Sequence, residues 1–303
     1  MDNLTHSLAG ALIGQAGLKR KTGLSMPALI IGANLPDVDA ACFAWLDGVE
    51  HLAFRRGITH GPPALVLLPL LLAAALWFWD RWQAKRGKRP ETRLPVHFGW
   101  LFALAFIGCL SHPALDLMNT YGIRLLEPFS SRWFHGDVLF IIDLWLWLGM
   151  GFAVWYSLRQ EKRGGNWRRT AQIALITVIA YIGLNWAITS ARESGALSDP
   201  SDPQIAISMP MPVAFWQRET IIGTGNRYYL DGELLGDIDP STCDLAAAAA
   251  ADEQIAAFLF WSRAPVIDQR EDGSLELRDA RFYGPPPSGR FGAELPARFC
   301  QQR

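Results

Sequence analysis

The chain has no excess of charge of either sign. Its 28 Lys and Arg stand against 29 Asp and Glu, a formal net charge of -1 over 303 residues. No nucleic acid is expected as a partner, because the basic footprint of such proteins is missing. Cysteine is scarce, at four. Cys42 and Cys109 fall in apolar runs and read as packed thiols. Cys243 and Cys300 form an even pair, which an oxidising compartment permits to bridge. No stretch of positive charge precedes the first apolar run, which argues against a cleaved signal peptide. Histidine is scarce too, and all six lie before residue 136. Residues beyond 190 therefore offer no imidazole, and we place no catalysis there. No inverted repeat is legible, which counts against a transporter.

What is abundant is apolar surface. Half the residues are hydrophobic, and 13 are Trp. A membrane-spanning helix needs about 20 apolar residues. Residues 63–82, 97–118, 137–158 and 170–189 meet that length. Residues 4–18 and 24–46 are weaker runs, the second broken by "NLPDVD", and read as either spanning or re-entrant. Trp77, Trp79, Trp82, Trp100, Trp145, Trp147 and Trp155 lie toward run ends, as interfacial aromatics do. We expect a mostly α protein. Residues 1–190 form a polytopic helical bundle of about six segments. Residues 191–203 are a polar linker, and residues 204–303 a small α+β extracytoplasmic domain.

Basic residues set the orientation. They cluster at 19–21, between Arg81 and Arg93, and between Arg159 and Arg169. Loops rich in Lys and Arg stay cytoplasmic. Six crossings would put all three loops on that side and the C-terminal domain outside. This predicts a multi-pass protein of the bacterial inner (cytoplasmic) membrane with a periplasmic C-terminal domain.

On that topology, chemistry gathers on the outer face. His6, Asp37, Asp39, Arg56, His60, His112 and Asp116 all fall there, although only Lys and Arg were used to orient the chain. Positions i and i+4 share a helix face, so His112 and Asp116 can grip one ion together. His nitrogen and Asp oxygen suit zinc, with manganese and iron as alternatives. In "NLPDVD", Pro36 stops the helix, and irregular backbone is tolerated where it lines a polar cavity. Singly, each residue has a duller account: a capping histidine, an Asx turn, a helix-pairing Asp143. No one such account covers His6, Asp37, Asp39, His60, His112 and Asp116 together.

The motifs "MDNLTH", "GANLPDVD", "RRGITHGPP", "SHPALDLMNTYG", "LEPFS" and "LFIID" come in an order that resembles the YdjM/YbcI-like family of membrane-bound metal-dependent hydrolases. That resemblance covers roughly residues 1–190. The family in turn is similar to the zinc-dependent phospholipases C and single-strand-specific zinc nucleases. By that likeness Asp116 would bridge two metals. His60, His112 and one of Asp37 or Asp39 would complete the first site, and His6 would serve the second. His135 with Asp137 or Asp143 would serve a third. The expected second His-x-x-x-Glu/Asp pair is missing, so one or two ions are expected rather than three. The amino-terminal ligand of those enzymes has no counterpart in Met-Asp, leaving Asp2 as a substitute or that position empty.

The expected chemistry is hydrolysis of a phosphoester on a lipid or lipid-linked substrate at the outer membrane face. Asp37 or Asp39, whichever does not ligate, is the candidate base, and Arg56 or Arg124 the candidate partner of the phosphoryl charge. The competing classes are a transporter or proton-coupled protein using the carboxylates, and a metal-stabilised scaffold. In the C-terminal part, "NRYYLDGELLG" reads as strand, turn, strand, and residues 240–263 read as one helix. Residues 265–299 read as strands around turns.

Overall fold

The computed structural model describes residues 1–198, 203–283 and 291–300. The N-terminal part is helical. Helices α1 (Asn3–Gln15), α2 (Ser25–Gly32), α3 (His51–Phe54), α4 (Pro62–Lys85), α5 (Phe98–Asp116), α6 (Leu144–Lys162) and α7 (Trp167–Leu197) follow in order. A 3₁₀ segment, Leu35–Ala44, carries "NLPDVD", and another, Ile58–His60, precedes α4. The caps are those the sequence chemistry favours. Asp2 accepts from Leu4 N and Thr5 N at 2.9 and 3.1 Å, and Asp143 accepts from Leu146 N at 2.9 Å. Pro62 and Pro63 open α4, where the missing amide hydrogen costs no bond.

Six spans are not supported. Among the described residues three helices are long and apolar enough to cross a membrane: α4, α5 and α7. At 1.5 Å per residue α1 is about 20 Å long and α2 about 12 Å, short of a hydrocarbon layer of about 30 Å. They form an inner hairpin instead. It starts at Asp2 and turns at Lys19–Lys21, where Lys19 pairs with Glu161 of α6 and Lys21 lies over Trp100 of α5. It returns to Asn34. The hairpin packs closely on α5. A Cβ at Gly108 would stand 2.5 Å from Leu29 O, and one at Gly32 2.7 Å from Ala105 O. Only hydrogen fits at either crossing.

Beyond α7 the chain is mixed. Strands β1 (Ile205–Pro210), β2 (Arg218–Thr224), β3 (Arg227–Leu230) and β4 (Glu233–Leu235) form one antiparallel sheet in sequence order. β5 (Pro265–Gln269), β6 (Leu275–Asp279) and β7 (Gly292–Leu295) form another. Asp231 and Gly232 both have positive φ in the β3–β4 turn, the geometry an Asp-Gly hairpin needs. Residues 240–263 are not one helix. α8 (Leu245–Ala251) ends at Asp252, whose carboxylate caps α9 (Glu253–Trp261) through Gln254 N and Ile255 N. A disulfide joins Cys243 and Cys300, while Cys42 and Cys109 are buried and free.

The chain divides into two compact units. The first is Met1–Val38, Arg56–Trp186 and Pro212–Phe215; the second is Asp39–Arg55, Ala187–Met211 and Trp216–Arg303. The expected linker, 191–203, is helical through Leu197, and its residues 199–202 lie outside the described ones. In the second unit, segment 39–55 rests on α9, with Val49 N donating to Gln254 Oε1 at 3.1 Å.

Candidate metal centre

Asp116, on the last turn of α5, is the hub. Its side chain has no solvent exposure. His112, one turn earlier, brings Nε2 to 3.5 Å from Asp116 Oδ2. The 3₁₀ turn before α4 places His60 Nε2 3.8 Å from the same oxygen. The Leu35–Ala44 segment places Asp37 Oδ1 3.8 Å from His112 Nε2. One ligand atom from each of Asp37, His60, His112 and Asp116 lies within 4.8 Å of all the others.

These separations fit a cation. Hydrogen bonds between nitrogen and oxygen are about 2.7–3.2 Å long, so 3.5–3.8 Å is too wide. Zinc bonds of about 2.0–2.2 Å in a tetrahedron put neighbouring ligand atoms about 3.3–3.6 Å apart. The outward nitrogens support the same reading. His112 Nδ1 donates to Ala33 O at 2.7 Å, which fixes the tautomer and leaves Nε2 its lone pair. Thr59 Oγ1 lies 2.9 Å from His60 Nδ1.

The expected six-residue set is divided. Asp37, His60, His112 and Asp116 converge. His6 does not join them. It stacks on His112 at 3.8 Å and brings Nε2 to 3.3 Å from Asp116 Oδ1, the carboxylate's other oxygen. The Met1 amine contacts that oxygen as well. Asp2, the expected substitute for an amino-terminal ligand, is occupied as the α1 cap. Asp39 belongs to the second unit, where it faces Arg55 Nε at 3.5 Å. Only Asp37 of that pair enters the group.

No third cluster forms among the described residues. Asp143 caps α6 and accepts from Tyr181 Oη at 2.9 Å, and neither it nor His135 or Asp137 joins a metal-holding group. Arg56 is buried, at positive φ, with Nε 3.1 Å from Asp116 Oδ2. Its Nη1 donates to Asn119 Oδ1 at 3.0 Å and Gly122 O at 3.2 Å. Arg124 pairs with Glu127 at 2.9 Å. Sequence reasoning gave Asn119 and Thr59 no role and missed the Ala33 carbonyl. The first two lie inside quoted motifs, but a main-chain acceptor has no sequence signal.

These elements define a helical membrane protein with a buried His/Asp centre. The chain belongs to the YdjM inner membrane protein family, whose model matches residues 1–191. It is also similar to the uncharacterized protein YfhP of Bacillus subtilis (strain 168). The two are 25% identical over 304 residues, covering 93% of this chain and 85% of the relative. No solved structure matches it.

Proposed function

We propose that the protein is a membrane-bound, metal-dependent hydrolase acting on a phosphoester of a lipid or lipid-linked substrate at the outer face of the inner membrane. One observation carries this: four ligand atoms from three chain segments converge within 4.8 Å, three of the four residues being buried. A bound divalent cation would polarise a phosphoryl oxygen and lower the pKa of a bound water. The chain's own groups do the rest. Asp116 Oδ2 faces both histidines. Arg56 fixes that oxygen and neutralises the carboxylate, acting as a positioning residue. Asp37 is the one member of the four with an exposed side chain, 11%. Water reaches the group there, beside the ligand Asp37.

Topology supports an outward site. The basic ends of α4, α6 and α7 point to the cytoplasm by the positive-inside rule. The disulfide of the C-terminal part suits an oxidising compartment. With Asp116 outside and the basic residues Arg159–Arg169 inside, α6 must also cross. At 19 residues it is about 28 Å long, enough to do so. The reading is therefore four crossings around an inner hairpin.

The test is metal content of detergent-purified protein beside a His112→Ala/Asp116→Ala variant. Stoichiometric metal lost in the variant is expected, followed by turnover of phospholipid or lipid-phosphate substrates. Absence of metal after reloading, or a loaded protein that cleaves neither phosphomonoester nor phosphodiester lipids, overturns the proposal.

A further inference from the structure

An apolar groove of 430 Å³ separates α6 from α7, entirely within the first unit. Met150 and Ala153 form its floor and belong to the same buried cluster as Met1 and Leu115. Ile173, Ala174 and Thr177 line the facing wall. Gly149 opens it: a Cβ there would meet nothing within 4 Å.

One end of the groove is roofed. Phe215 packs edge-on against Tyr181 at 5.1 Å and Trp145 at 6.1 Å, and Trp145 Nε1 donates to Val213 O at 2.8 Å. The Tyr181–Asp143 hydrogen bond gives that end a polar rim. The rim is one helical turn from the metal centre's support. Trp147 Nε1 donates to Asp2 Oδ2 at 3.1 Å, and Asp2 N donates to Ile141 O at 3.2 Å.

We propose that this groove holds one hydrocarbon tail of a membrane lipid. Its volume falls in the range of small-molecule sites, about 300–1,000 Å³. A helix from a second copy, about 10–12 Å across, is a poorer fit. The groove's mouth lies on α7, an apolar span whose Ile173, Ile176 and Ile179 are 55%, 67% and 69% exposed. Hydrocarbon is the medium such a surface meets. The polar rim lies at the end where a headgroup would emerge. That this headgroup is the phosphoester offered to the metal centre rests on the function proposed above; tail binding itself does not.

The test uses full-length protein in phosphatidylethanolamine/phosphatidylglycerol vesicles. One arm carries a phosphatidylglycerol with a diazirine in its acyl chain, the other a polyisoprenyl phosphate with a diazirine in its chain. After irradiation, labelled peptides are mapped. We expect at least one probe to label the Gly149–Ala153 and Ile173–Thr177 peptides five-fold or more over the outward face of α4. Gly149→Phe and Ala174→Phe, filling the groove from either wall, should each reduce that labelling at least five-fold. Gly183→Phe should leave it unchanged, because it adds the same bulk to open space elsewhere on α7. The stronger arm tells acyl from isoprenoid tails. Even labelling of all exposed helices, or labelling indifferent to the filling variants, overturns the proposal. So does an Ala174→Cys variant that cross-links copy to copy, which would make the groove a dimer contact. Metal content and turnover, followed in parallel, report separately on the hydrolase reading.

Discussion

Gly108→Ala adds one methyl group on α5, one helical turn before the candidate ligand His112. On α5 the new Cβ would stand 2.5 Å from Leu29 O and 3.1 Å from Ala33 N, both main-chain atoms of the inner hairpin. Ordinary contact begins at 3.4 Å, so the end of α2 must retreat by about 0.9 Å. That same stretch carries the Ala33 carbonyl, which accepts from His112 Nδ1 at 2.7 Å. Added to that bond, the retreat stretches it to about 3.6 Å, beyond hydrogen-bonding range. Overpacking of a filled core costs about 1–3 kcal/mol. A buried donor left unsatisfied costs about 1–3 kcal/mol, partly the same distortion counted again. The net expectation is a loss of about 2–4 kcal/mol. Loss of the carbonyl that orients a ligating histidine should also weaken metal binding about 10–100-fold. Chelator competition and thermal unfolding of the detergent-purified variant measure both. Gly99→Ala, on the same helix but facing open space, is the control and should be silent. Unchanged metal affinity with an unchanged midpoint in Gly108→Ala would refute the coupling of the α2–α5 crossing to His112.

Two further outcomes concern the C-terminal part. Opening the Cys243–Cys300 bridge with Cys243→Ser frees a loop closed over 57 residues. It should destabilise this region by about 4 kcal/mol on the chain-entropy account; an unchanged denaturation midpoint for the oxidised and reduced protein would contradict it. Hydrogen bonds from Ser241, then Arg227, lower the Asp239 carboxyl from 3.8 to about 2. A depressed folded-state pKa gives stability that is present above pH 3.8 and is lost as pH falls toward 2. Asp239→Asn should therefore flatten the acid dependence of unfolding between pH 4 and 2, read by intrinsic fluorescence, and an identical acid limb in both proteins would count against the assignment.

How far the fold could be read depended on what each apolar run faces. The runs at 63–82, 97–118 and 170–189 became α4, α5 and α7, because hydropathy and helical length agreed. The runs at 4–18 and 24–46 did not become spans. Hydropathy alone does not distinguish a helix bathed in lipid from one wrapped by protein, and short runs favour the second. The run at 137–158 was shifted. Residues before Asp143 are extended, with a bridge between Asn119 and Leu139, and the helix starts only at the Asp143 cap, taking in Arg159–Lys162 at its far end. Asp252 broke the alanine-rich helix by a related cause. An aspartate that caps the next turn with its own carboxylate competes with helix continuation.

For the site, the His112/Asp116 pair was legible because helical spacing fixes it. The choice between Asp37 and Asp39 was not. In a 3₁₀ segment, with three residues per turn, positions two apart point about 120° from each other, so only one can face the centre. His6, expected to serve a second ion bridged by Asp116, lies at the far oxygen of that carboxylate. What emerges is four ligand atoms drawn together from three chain segments. His112 and His60 stand 3.5 and 3.8 Å from Asp116 Oδ2, and Asp37 stands 3.8 Å from His112, all in or beside a dry interior. Buried polar atoms are normally drawn into hydrogen bonds. Burying the Asp116 carboxylate beside two histidines at those distances is costly. Arg56 offsets one negative charge at Asp116, with Nε 3.1 Å from Oδ2, and its Nη1 donates to Asn119 Oδ1. A divalent cation between the four atoms would satisfy the histidine lone pairs and both carboxylates at once. That spacing is the observation behind the proposed metal.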